Sequence, residues 1–202
     1  MKHIFYVIIL FVFFKSHSQD LSLWPQSDIQ LAKTYENVNY LNETEKQIVL
    51  LCNLARINGK LFSETILKSY IEEQNISKNS YVLSLISDLE KTKNLRPLVP
   101  DRQLFDIAHD HSVNMGLKGK TGHPDFEKRY KKVMKRYNIV GENCDYGSSE
   151  AIEIVMRLLI DDGIKDVGHR KNILNSRFKA VGVSIAEHKK YIYNCVMSFG
   201  GN

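Results

Sequence analysis

Three cysteines in 202 residues are too few for a scaffold built from disulfides, and four prolines and 11 glycines exclude collagen-like and proline-rich linker architectures. The one wholly apolar run, Ile4 to Phe14, is shorter than the roughly 20 residues that cross a bilayer. Neither sign of charge dominates: 28 Lys and Arg against 23 Asp and Glu give +5. So mild a basic balance permits contact with acidic surfaces but predicts no specific nucleic-acid partner, which needs a stronger, clustered signal. No H-E-x-x-H, G-x-S-x-G or P-loop string occurs, and no internal repeat or low-complexity tract. What is present is ordinary globular composition, 43% hydrophobic and 25% charged, in a chain long enough for one domain with its own core.

The N-terminus predicts the compartment. Lys2 and His3 precede the apolar run, and Lys15 and Ser16-His17-Ser18 follow it. Small residues at Ser16 and Ser18 fit cleavage before Gln19, so residues 1–18 read as a signal peptide and the mature chain as secreted, with no transmembrane anchor left. Loss of Lys2 and Lys15 lowers the net charge from +5 to +3. An odd cysteine count outside the cytosol predicts one bridge and one buried thiol. Cys52 sits within an amphipathic helix pattern, where burial is the default, which leaves Cys144 and Cys195 as the expected disulfide.

Helices come first and a hairpin last. Asp20 to Tyr40 reads as an irregular leader outside the main core, carrying the single Trp at Trp24. Asn42 and Glu45 form a capping pair ahead of Ile48, Leu51, Cys52 and Ala55 at helical spacing. A helix from Ser63 to Glu73 and another carrying Val82, Leu85, Ile86 and Leu89 follow. Asp101 opens a helix striped by Leu104, Ile107, Ala108, His111 and Met115, which Gly116 and Gly119 end. Phe126, Tyr130, Val133 and Tyr137 fit the inner side of a short helix, so the adjoining Lys and Arg residues read as its solvated face. Gly141 to Cys144 reads as a tight polar link, and a further helix carries Ile152, Val155, Met156 and Leu159. Phe178–Ala186 and Tyr191–Phe199 are the clearest strands, joined by residues 187–190.

Polar residues beside glycines mark four loops: Gly122-His123, Gly141-Glu142-Asn143, Asp161-Asp162-Gly163 and Gly168-His169-Arg170. Two imidazoles and two carboxylates are a sensible ligand set for Zn2+ or a related ion, or carboxylates can fix imidazole tautomers. Spacing alone does not bring the four together. His109 and His111, two apart on a helix, point to different faces and form no chelate, and His111 on the apolar stripe reads as a hydrogen-bonded core histidine.

The strings Ala108 to Met115, Gly122-His123, Gly141-Glu142-Asn143-Cys144, Gly168-His169-Arg170-Lys171-Asn172-Ile173-Leu174-Asn175 and Val181-Gly182-Val183 together resemble bacterial CAP (SCP-like) domains, relatives of the cysteine-rich secretory, antigen 5 and pathogenesis-related proteins. The resemblance covers residues 43–202 and leaves 19–42 as an N-terminal extension. It implies an α+β fold, an α-β-α sandwich with a small, mostly antiparallel sheet flanked by helices. It also implies a cleft of His123, Glu142, Asp161 and His169, with Asp162 the alternative second acid and the two histidines as ligands for Zn2+ or another divalent metal. The expected function is a secreted, non-enzymatic binding module for a protein, lipid-like or glycan ligand. The alternative is a metal-dependent hydrolase or protease with Glu142 as base, against which stands the lack of a nucleophile in a recognisable setting.

Overall fold

A computed structural model describes residues 21–202; the expected signal peptide lies outside them. Helix α1 (Gln26–Ala32) corrects the reading of this region as irregular and outside the core. Trp24, Ile29 and Ala32 are buried in the main hydrophobic cluster, and the Ala32 carbonyl accepts from Asn53 Nδ2 at 2.9 Å. Helix α2 (Glu43–Ile57) starts in a full capping box, with Asn42 and Glu45 exchanging side-chain to backbone bonds of 2.9 Å. Glu45 also accepts the Ile185 N–H, tying the helix start to the sheet.

Near the end of α2, Arg56 is wholly buried and pairs with no carboxylate among the described residues. Its guanidinium instead donates to the carbonyls of Arg96, Ile173, Asn175 and Phe178 at 2.7–3.1 Å, fastening two loops beneath the helix. Burial lowers its pKa to about 10, so the charge survives at neutral pH. Helix α3 (Gly59–Phe62) runs through a π-turn (Ser63–Leu67) into α4 (Lys68–Glu73). Helix α5 (Ser80–Lys91) is capped by Asn79.

Strand β1 (Val99–Pro100) leads into α6 (Arg102–Lys118), which Asp101 caps and Gly119 closes at φ 62°. Then come α7 (Phe126–Tyr130), a 3₁₀ turn (Val133–Lys135), β2 (Ile139–Tyr146), α8 (Ala151–Ile160), α9 (Gly168–Ile173), β3 (Phe178–His188) and β4 (Ile192–Gly201). The sheet order is β1-β3-β4-β2, with β1 parallel to β3 and the other pairs antiparallel. Helix α6 crosses one face along β3 and β4, while α2, α8 and α9 pack on the other side. Gly182 permits the α6 contact: a Cβ there would lie 2.1 Å from the Leu104–Phe105 backbone. The fold is therefore the expected α-β-α sandwich with a mostly antiparallel sheet.

Two expectations fail on β2. Residues 141–144 are strand, not a link, and they pair with β4 along its length. The expected Cys144–Cys195 disulfide is absent: all three cysteines are free and buried. The register gives the reason. Cys144 lies opposite Val196 and Cys195 opposite Asp145, so the two thiols sit one residue out of step and project from opposite faces of the sheet. Cys144 packs with Ala108 under α6, and Cys195 belongs to the main core.

Candidate functional site

The same alternation along β2 organises the polar residues. Strand β2 is an edge strand, and its adjacent Glu142 and Asn143 send side chains to opposite faces. The α6 face then meets His123 and His111, and the opposite face meets His169.

On the α6 face, Glu142 Oε1 accepts His123 Nδ1–H at 2.8 Å and Arg129 Nη2–H at 2.8 Å, while Oε2 accepts from Arg129 Nη1 and lies 3.2 Å from Tyr130 Oη. The carboxylate side chain is 1% exposed and the His123 ring 45% exposed, so a buried acid orients an accessible imidazole. Burial alone would push the Glu142 carboxyl up. Hydrogen bonds from Arg129 and His123 and the Arg129 charge outweigh it and hold the pKa at about 2.

Behind this pair, His111 is buried, donates Nε2–H to the Gly122 carbonyl at 3.0 Å and lies 3.7 Å from Glu142 Oε1. Burial pushes its pKa down, so the ring is neutral at neutral pH. His111, Glu142 and Cys144 bring potential ligand atoms within 4.8 Å of one another. Their bonding argues against a metal there. The Glu142 oxygens are occupied, the His111 Nε2 proton is donated, and burial followed by the Glu142 charge pushes the Cys144 thiol up.

On the opposite side, Asp161 ends α8 in the left-handed region at φ 58°, which an Asp tolerates better than most residues. Its Oδ1 accepts His169 Nδ1–H at 2.7 Å, and its Oδ2 takes the backbone N–H of His169 at 2.9 Å and of Arg170 at 3.3 Å. One carboxylate thus caps the start of α9 and orients the imidazole. Asp162 is exposed and accepts from Asn79 instead. Asn143 reaches across to the His169 carbonyl at 3.0 Å and is itself held by Asn172 at 2.8 Å.

The expected cleft residues are therefore arranged as two pairs, His123–Glu142 and His169–Asp161, linked through the Glu142-Asn143 dipeptide. His109 belongs to neither: it stacks on Phe105 and contacts Ser184. Residues that support the site escape the sequence. Arg129 looks like one more cation in a basic cluster, and only the fold brings it to Glu142. Arg170, within the recognised string, is buried and donates to the Leu159, Ile160 and Tyr81 carbonyls and to Asp88, pinning α9 onto α8 and α5. Its place between His169 and Asn172 is the signal that could have marked it.

No curated protein matches the chain. Solved structures do. An extracellular protein containing an SCP domain from Bacillus anthracis is 24% identical, with TM-score 0.45, over 60% of this chain and 39% of that one. An outer surface protein from Borrelia burgdorferi is 22% identical, with TM-score 0.47, over 63% of this chain and 96% of that one. A cysteine-rich secretory protein from Staphylococcus aureus is 18% identical, with TM-score 0.44, over 63% of this chain and 40% of that one. This chain thus spans about two fifths of the first and third of these proteins. The sequence profile that matches it, over residues 50–199, settles the relationship: the chain belongs to the cysteine-rich secretory protein family, CAP.

Proposed function

We propose that the chain is an exported binding module whose His123 and His169, meeting around the free edge of β2, hold a divalent metal, with Zn2+ suited to the donor set, and that the cleft around them takes a protein, lipid-like or glycan ligand. One observation carries this reading. Each imidazole donates Nδ1–H to its own buried carboxylate, at 2.8 and 2.7 Å, which leaves each Nε2 lone pair for another partner. Metal-binding histidines use this wiring, because the carboxylate fixes the tautomer and raises the basicity of the ligand nitrogen. The metal would supply a Lewis-acidic centre for a ligand oxygen. Glu142 and Asp161 act as positioning residues, since His123 and Arg129 occupy one carboxylate and the start of α9 occupies the other. Export rests on the N-terminal charge and apolar pattern.

The hydrolase alternative asks Glu142 to accept a proton. A carboxylate with a pKa of about 2 is a poor base at neutral pH, and the buried Cys144 thiol is pushed away from ionisation. Calorimetric titration with Zn2+ tests the favoured reading: wild type should bind, and His123→Ala/His169→Ala should lose most of the affinity. Equal affinity in the two proteins would remove the metal from this site. Chelator-sensitive casein hydrolysis that vanishes in Glu142→Gln would reverse the preference for a binding module.

A further inference from the structure

A cavity of about 410 Å3 opens between the C-terminal half of α6 and the segment that leads into α7. His111 and Lys118 line it from α6, Lys120 from the following loop, and Asp125, Lys128 and Arg129 from the α7 side. Its charges are unevenly committed. Arg129 is spent on Glu142 and, through Nε, on the Pro124 carbonyl. Lys118, Lys120 and Lys128 form no ion pair among the described residues. Three uncommitted ammonium groups against the Asp125 carboxylate leave two positive charges in one concave site.

The wall is also held in place. Gly119 and Lys120 return their N–H groups to the Gly116 and Met115 carbonyls at 3.2 and 3.1 Å, and Lys189 N–H takes the Gly116 carbonyl at 3.1 Å. His188 Nε2–H donates to the Lys120 carbonyl at 2.9 Å. Engaging these carbonyls mutes the negative end of α6, which would otherwise oppose an anion. The volume lies at the small end of ligand cavities, about 300–1,000 Å3, and fits a sugar-sized group. Met115 and Pro124 offer an apolar patch beside the lysines for its carbon skeleton.

We propose that this cavity binds a phosphate ester of a small polyol, with Lys118, Lys120 and Lys128 on the phosphate. The ester can be a soluble molecule or the headgroup of an anionic phospholipid. The site does not depend on the metal reading, since none of these lysines contacts either His–carboxylate pair.

The test titrates the folded protein with sn-glycerol 3-phosphate by calorimetry and, separately, sediments it with phosphatidylcholine vesicles with or without phosphatidylglycerol. The variant Lys118→Gln/Lys120→Gln/Lys128→Gln is set against Lys131→Gln/Lys132→Gln/Lys135→Gln, which removes the same charge from exposed positions outside the cavity. Binding should weaken roughly tenfold or more in the cavity variant and stay near wild type in the control, as charge-assisted bonds to phosphate require. Cavity-dependent binding of free glycerol phosphate identifies a soluble ester. Cavity-dependent binding to the anionic vesicles alone identifies the headgroup. Equal losses in the two variants, or no binding to either probe by the wild type, would overturn the proposal.

Discussion

Glu142 should make the protein's stability depend on pH in the acid range. Its pKa falls from an ordinary 4.5 to about 2 on folding. Each tenfold change in proton affinity corresponds to about 1.4 kcal/mol, so ionised Glu142 contributes about 3 kcal/mol. The side chain is 1% exposed, so solvent screening removes little of this. A depressed folded pKa gives stability that is present above the unfolded value and lost as pH falls through the folded one. The window is therefore about pH 4.5 down to pH 2, with about 2 kcal/mol already gone at pH 3. Urea unfolding of wild type and Glu142→Gln at pH 7 and pH 3 isolates the effect, because other titrating groups, such as Asp145, are common to both proteins. Glu142→Gln should cost about 3–5 kcal/mol at pH 7, since it leaves Arg129 without its carboxylate, and its further loss at pH 3 should be smaller than that of wild type by about 2 kcal/mol. Parallel losses in the two proteins between pH 7 and pH 3 would refute the idea that Arg129 and His123 hold the carboxylate ionised.

Arg56→Met should lose at least about 3 kcal/mol in urea unfolding, because four carbonyls lose their donor in the core; a change under about 1 kcal/mol would mean that water replaces the guanidinium. Thiol counting on denatured, unreduced protein should find all three cysteines free, and a Cys144–Cys195 cross-link would contradict the β2–β4 register. Asp161→Ala should destabilise the start of α9 by about 1–2 kcal/mol and weaken Zn2+ binding, whereas Asp162→Ala should stay within about 0.5 kcal/mol of wild type; the reverse order would move the second acid to Asp162.

What the sequence makes legible follows how local each interaction is. The Asn42–Glu45 capping box, the Asp101 cap and the final hairpin depend on neighbours a few residues apart, and each is where the pattern places it. Helix α1 has seven residues, too few for its apolar spacing to stand out, so Trp24 reads as detached although it is buried. Strand β2 hides for a different reason. Gly and Asn favour turns and Glu is no strand former, and the residues that make Gly141-Glu142-Asn143 a strand lie on β4, more than fifty positions later. The disulfide expectation fails at the same point, because only the register tells that neighbouring strands carry Cys144 and Cys195 on opposite faces.

That register also explains why consecutive polar residues occupy a strand at all. An edge strand with one face under α6 and the other near α9 can serve both His–carboxylate arrangements only if it offers a polar side chain in each direction. Glu142 supplies the carboxylate for His123, and Asn143, one residue on and therefore on the other face, supplies the bond that holds the His169 backbone. An insertion between them would keep both residue types and destroy the pairing, by turning Asn143 to the face that already holds Glu142. The functional content of the Glu-Asn string thus lies in its adjacency, and the remote Arg129, Arg170 and Asn172 hold the two faces in place around it.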